Sequence, residues 1–243
     1  RLDLLDANQF AAYNKVINPA YTQANANTDW QDVIYRAGST ANHQLAFSGG
    51  SENINFYASG NYFTQDGVVI NSGFERASYL TNIDAQLTDR LKLGFNSFGS
   101  RSKKDGVATQ ASTGGRGSGD VVSIAYRFAP DLGILDANGN NTLNSVGDDV
   151  DNPFAIATET IDQTKVDNFR ANFYAAYDIT ENLNFKTTFG FSSRNETRGI
   201  FRPSTLIATA GNQGGIGQIA NAKTTSTLSE NYLTYSKEFD TSK

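Results

Sequence analysis

Asn168-Phe169-Arg170-Ala171-Asn172-Phe173-Tyr174-Ala175-Ala176-Tyr177, a turn at Asp178-Ile179-Thr180-Glu181-Asn182, and then Leu183-Asn184-Phe185-Lys186-Thr187-Thr188-Phe189-Gly190-Phe191-Ser192 form the stretch on which the fold reading depends. Phe169, Ala171, Phe173, Ala175 and Tyr177 take every second place, and Asn168, Arg170, Asn172 and Tyr174 stand between them. Successive side chains on a strand point to opposite faces, so this period of two predicts a strand with one apolar and one polar face. The second run repeats the pattern with Leu183, Phe185, Thr187, Phe189 and Phe191 against Asn184, Lys186, Thr188, Gly190 and Ser192.

The same alternation recurs upstream. Ile54, Phe56, Ala58, Gly60 and Tyr62 oppose Asn53, Asn55, Tyr57, Ser59 and Asn61, and Tyr79, Thr81, Ile83, Ala85 and Leu87 oppose their neighbours in the same manner. Seven strands are predicted, over roughly 41–48, 53–64, 74–87, 91–102, 166–178, 183–198 and 224–238. Several are longer than the usual soluble strand of about 5–6 residues and suit a tilted bilayer crossing of about 9–11. Tyr62, Phe63, Phe98, Tyr177 and Tyr235 lie near the strand ends, where an aromatic girdle would sit.

The connections sort by length. Turns at Gly49–Glu52, Leu87–Arg90 and Asp178–Asn182 are short, whereas Gln65–Gly73, Lys103–Lys165 and Gly199–Lys223 are longer. Short turns at one end and long loops at the other are the pattern of bacterial outer-membrane barrels. The fold class expected is therefore all-β, an antiparallel transmembrane β-barrel segment. Residues 1–40 read as a first extracellular loop region with a short helix: Asp6 stands ready to cap it, Phe10 and Tyr13 share a face, and Pro19 follows its end. Residues 41–243 carry the strands, with long extracellular loops at 103–165 and 199–223.

Composition narrows the function. The formal net charge is −5 and no basic cluster exceeds Arg101-Ser102-Lys103-Lys104, which argues against nucleic acid as a partner. There is no cysteine, so disulfides, thiol catalysis and thiolate metal sites are excluded. There is also no methionine, and no signal-peptide pattern opens the chain, so a piece of a longer protein is expected.

One family accounts for several local motifs together. Thr28-Asp29-Trp30-Gln31-Asp32, Tyr35-Arg36-Ala37-Gly38, His43 through Gly49-Gly50-Ser51, Gln65-Asp66-Gly67-Val68-Val69 and Asn71-Ser72-Gly73-Phe74-Glu75-Arg76 closely resemble the early barrel region of SusC/RagA-type TonB-linked outer-membrane proteins. The matches run over residues 1 to 103, and the strand pattern carries the likeness to the end. The resemblance implies a 22-stranded barrel with an N-terminal plug, a SusD-like surface lipoprotein as partner, TonB as energy coupler and a glycan or peptide as cargo. It further implies that this chain lacks the plug, the TonB box and about two-thirds of the barrel, and that Leu2–Asp6 is the end of a first barrel strand and the loop after it. Seven strands cannot close such a barrel, and an open edge in lipid would leave backbone groups unpaired.

The candidate residues follow from this geometry. Arg170, Asn172, Tyr174, Asn184 and Lys186 lie on polar strand faces that would look into a lumen, where plug, water or substrate could meet them. Arg116, Tyr126, Arg127 and Phe128 lie in the long loop, where substrate or lipoprotein contacts are expected. No catalytic residue and no cofactor are expected: His43 is the single histidine and no nucleophile elbow accompanies it. Gly114–Asp120 lacks the Lys-Ser/Thr ending of a phosphate cradle. Asp136, Asn138 and Asn140 have the alternate-oxygen spacing of a Ca²⁺ loop, but Asn141 replaces the required glycine and Gly147 the bidentate Glu, leaving a weak calcium candidate beside Asp148, Asp149 and Asp151. Outer-membrane nutrient import is the function this reading favours; a structural or accessory barrel in a larger surface assembly, and a soluble β-sandwich binding module, are the alternatives.

Overall fold

The alternating segments form ladders in the computed structural model, which describes residues 1–107, 120–144, 150–207 and 210–237. The elements run α1 (Ala7–Ile17), α2 (Trp30–Ile34), β1 (Thr40–Gly50), β2 (Ile54–Asp66), β3 (Gly73–Thr88), β4 (Leu91–Asp105), α3 (Val121–Arg127), β5 (Leu143–Asn144), β6 (Val150–Asp151), α4 (Pro153–Glu159), β7 (Ile161–Thr180), β8 (Leu183–Arg202) and β9 (Ile216–Tyr235). β1, β2, β3, β4, β7, β8 and β9 make one seven-stranded antiparallel sheet in which each strand pairs with its neighbours in sequence, while β5 and β6 form a separate two-stranded ladder. Thus the seven main strands expected from the alternation are present.

Register aligns the apolar positions into continuous rows. Gly49, Phe56, Ile83, Phe95, Phe173, Phe189 and Ser229 lie across the sheet as successive cross-strand partners. A slip of one residue would turn a whole strand inside out, so the shared parity of these rows is what fixes the pairing. On β7 the apolar face runs from Phe169 to Tyr177 and ends at Asp167, which holds Arg101 of β4 through two hydrogen bonds of 2.6 and 3.2 Å. That band matches the length of a tilted crossing. Phe169, Phe173, Phe185 and Phe189 remain 39%, 43%, 36% and 53% exposed. No second sheet covers them among the described residues, as the soluble sandwich would require.

The ladders run beyond the expected ends. β7 begins at Ile161 rather than near 166, β8 continues to Arg202 rather than 198, and β9 begins at Ile216 rather than 224. Backbone pairing needs no apolar side chain, so the strands rise past the point where the alternation fades. At about 3.3 Å per residue, each of these 20-residue strands is about 65 Å long, far more than a bilayer requires. The intervening loops shrink accordingly to 106–160 and 203–215. Leu2–Asp6 forms no strand. Its backbone partner is a side chain instead: Leu2 N donates to Gln31 Oε1 at 2.9 Å, and Gln31 Nε2 donates back to Leu2 O at 2.8 Å.

The buried core lies outside the sheet. Trp30, Ile34, Val69, Val121, Ile124, Phe128, Ile156 and Leu206 pack together from the segments preceding β1, between β2 and β3, between β4 and β7, and between β8 and β9. All these segments leave the same end of the sheet, so the long connections fold into a helical cap there. Each short helix is started by a side chain that accepts an otherwise unpaired backbone N–H: Asp29 for α2, Asp120 for α3, and Asn152 for α4. Asn152 is wholly buried and also donates from Nδ2 to Ile134 O at 2.9 Å. Asn71, in a left-handed conformation at φ 59°, ties the β2–β3 loop to α4 by donating to Ala157 O at 3.0 Å.

Candidate functional site

On the polar face of the sheet a cleft of about 880 Å³ is lined by Gln65 of β2, Phe74 of β3, Lys104 and Asp105 of β4, Asp162 and Thr164 of β7, and Glu196, Arg198 and Arg202 of β8. The register gives all of these but Asp105 the parity of Asn172 and Tyr174. The cleft opens at the end where the cap sits, bordered by Gly67, Ser72, Gly106 and Val107.

Deeper on the same face, polar side chains bond across strands. Tyr174 Oη donates to Asp84 Oδ1 at 2.5 Å, reaching over Gly94 of the strand between. A Cβ at Gly94 would stand 1.9 Å from the tyrosine ring, so glycine is what lets the ring lie flat on the backbone. Lys186 Nζ sits 4.8 Å from the centre of that ring, Asn172 Nδ2 donates to Asn96 Oδ1 at 2.8 Å, and Asn184 Nδ2 donates to Asp178 Oδ1 at 2.7 Å. Arg170 lies one row further toward the cap, opposite Phe98 and Ser192. The five residues picked from the alternation thus share one face, and Tyr174 and Lys186 are brought into contact. Asp84, Asn96, Lys104, Arg198 and Arg202 were not among them; the same parity, applied to every strand, would have found them.

The loop candidates divide differently. Phe128 is 3% exposed and meets Trp30 edge to face, centroids 4.7 Å apart, so its ring serves the cap's core rather than an open mouth. Trp30 Nε1 completes that joint by donating to Ala129 O at 3.0 Å. Tyr126 Oη lies 3.0 Å from Tyr35 Oη, and this hydrogen bond together with burial pushes the Tyr35 hydroxyl up to about 12. Arg127 is exposed in the last turn of α3. Arg116 lies outside the described residues, as do Asp148 and Asp149.

Asp136 spends its carboxylate on its own turn. Oδ1 accepts from Asn138 N at 2.9 Å and Asn140 N at 2.8 Å, around Gly139 at φ 83°, and those backbone donors, Asn140 first, hold the carboxyl below its ordinary range. Asp131, buried in the cap, is engaged through one oxygen: Oδ2 accepts from Tyr21 Oη at 2.6 Å and Ala24 N at 3.1 Å, while Oδ1 has no hydrogen-bond partner among the described residues. Among the described residues no group of three or more His, Cys, Asp or Glu side chains converges as metal ligands would. His43 sits exposed on β1 opposite Tyr62.

Long two-faced strands joined in sequence order, short turns at one end and a folded cap at the other define a stretch of transmembrane β-barrel wall. No protein-family model matches the chain. It is 60% identical over 238 residues to TonB-dependent receptor P3 of Formosa agariphila, covering 98% of this chain and 24% of that protein. It is also 30% identical over 119 residues to TonB-dependent receptor SusC of Bacteroides thetaiotaomicron, covering 47% of this chain and 12% of that protein. Among solved structures, the RagAB peptide importer in its closed-closed state superposes on 96% of this chain with a TM-score of 0.71 at 20% identity, over 27% of the importer chain. The chain is homologous to part of the TonB-dependent receptors, SusC among them, shares its fold with part of RagAB, and spans about a quarter of the length of P3.

Proposed function

We propose that the protein containing this chain imports nutrients, a glycan or a peptide, across the outer membrane, with TonB supplying energy and a SusD-like surface lipoprotein seated over the capped end. The observation that carries this reading is the sheet's two-sidedness: an apolar band of bilayer height on the outside, and an inner face of bonded polar groups topped by a cleft. Lipid meets the first and an aqueous conduit the second. Arg170, Asn172, Tyr174, Asn184 and Lys186 then line the barrel interior, where they meet plug or cargo. Tyr126, Arg127 and Arg116 belong to the cap and the loop beside it, nearest the lipoprotein. The high identity to a named TonB-dependent receptor and the shared barrel fold with a peptide importer support the same reading.

The test is made on the full-length receptor in its own cell envelope. Deletion of its gene is expected to abolish TonB-dependent uptake of one class of oligomer, and detergent extraction of the outer membrane to co-purify a lipoprotein with it. Undiminished uptake of every oligomer class after deletion would refute an import role.

A further inference from the structure

Charge is unevenly spread over the inner face. Its cap-proximal half, from the Arg170 row upward, carries Arg76, Lys104, Arg170, Arg194, Arg198 and Arg202 against only Asp162 and Glu196 among the described residues. The chain as a whole is acidic, with a net charge of −5, so this is a local reversal of sign and not a reflection of composition. Both acids are already engaged: Asp162 accepts two hydrogen bonds from Arg198, at 2.9 and 2.8 Å, and Glu196 lies 2.5 Å from Arg194. Arg76, Lys104, Arg170 and Arg202 therefore have no acidic partner among the described residues. Lys104 and Arg202 line the cleft itself, beside Arg198 and the acids Asp105, Asp162 and Glu196. Asp105 is held by Lys103 at 2.8 Å, as Asp162 and Glu196 are held by Arg198 and Arg194, so Lys104 and Arg202 leave the cleft with a positive excess that draws in ligands of the other sign.

We propose that this cleft receives anionic sugar chains, oligosaccharides bearing carboxylate or sulfate groups; the inference rests on the importer reading above. Lys104 and Arg202 would take the acidic substituents, arginine binding either oxyanion by its planar fork. Gln65 and Thr164 offer hydroxyl partners beside them, and Phe74, propped by Phe63 at a centroid distance of 6.0 Å, offers a ring face for a sugar.

The experiment measures binding to the purified full-length receptor at low salt, using oligogalacturonate against its methyl ester, a sulfated dextran oligosaccharide against plain dextran, and oligoglutamate as the peptide polyanion. One or both charged sugars should bind about tenfold or more tightly than the neutral counterpart, with the gap closing as salt rises. Which pair responds identifies carboxylate or sulfate as the group read. The Lys104→Gln/Arg202→Gln double variant should lose the preference, while Lys165→Gln/Lys223→Gln, which removes the same charge from the opposite face, should keep it. No preference in either pair, a preference that survives the first double variant, or oligoglutamate binding more tightly than both charged sugars would overturn the proposal. TonB-dependent uptake of a neutral oligomer without any charge preference would overturn it and leave the import reading standing.

Discussion

Replacing Trp30 by alanine tests whether the cap is a folded unit with a stability of its own. The indole is 3% exposed, stacks edge to face on Phe128 at 4.7 Å and donates to Ala129 O at 3.0 Å, joining the segment before β1 to α3. Emptying a site of that size costs about 3–5 kcal/mol, the carbonyl of Ala129 being stranded as well. Since about 1.4 kcal/mol is a factor of ten, amide exchange by opening of the cap should accelerate by about two to three and a half powers of ten. Hydrogen exchange read by mass spectrometry on the full-length receptor in detergent is the assay, with peptides from α2, α3 and α4 set against peptides from β7 and β8. Trp30→Phe, which keeps a ring but loses the donor, should give a smaller acceleration, matching about 1–3 kcal/mol. Unchanged exchange in α3 and α4, or equal acceleration in the long strands, would refute the idea of a separately stabilised cap.

Phe189→Arg, in the middle of the apolar band, should lower folding stability in lipid vesicles by about 2–4 kcal/mol, whereas Thr188→Arg on the opposite face should cost about 0–1 kcal/mol; similar costs in a denaturant titration would show the faces assigned the wrong way round. Gly94→Ala forces a methyl into the Tyr174 ring and should destabilise by about 1–3 kcal/mol, most of it recovered in Gly94→Ala/Tyr174→Ala; thermal unfolding of the single and double variants reads the coupling, and additive losses would contradict the contact. The Tyr35 hydroxyl, raised from 10.0 to about 12 by its bond to Tyr126, stabilises the cap fully below about pH 10, and that contribution is lost as pH climbs through 12. Cap exchange protection corrected for intrinsic rates should therefore stay level to about pH 10 and fall above it, and Tyr35→Phe should remove the Tyr35 part of that fall.

The wall of the barrel was legible in the sequence because period-two alternation is carried by side chains in strict register. Phe169 to Tyr177 announces its face residue by residue, and the rows across seven strands only repeat it. The cap was not legible. α2, α3 and α4 are five to seven residues long, too short for an apolar stripe of helical period to stand out, and their core is assembled from segments far apart in the chain, such as Trp30, Ile124, Ile156 and Leu206. Phe128 therefore reads as an exposed loop aromatic until Trp30 is found above it. The strand extensions at Ile161–Lys165 and Ile216–Lys223 were hidden for another reason: outside lipid the outer face holds Gln163 and Lys165 as readily as phenylalanine, so the pattern vanishes while the ladder continues. In the cleft, Arg198 and Arg202 share the parity of Asn172's face, but they lie at the end of β8 where that parity had lost its apolar counterpoint.

Strand order also bears on how such a wall is built. Hairpins joined by two- or three-residue turns can zip as soon as they emerge, since closing a small ring costs little chain freedom. The β4 and β7 ladder must wait for its ends to be brought together across residues 106–160. Condensation of α3 and α4 onto α2 gathers much of that span into one compact knot, shortening the tether before the two strands meet. Weakening the knot should thus delay insertion at this one seam, even where the finished barrel is equally stable.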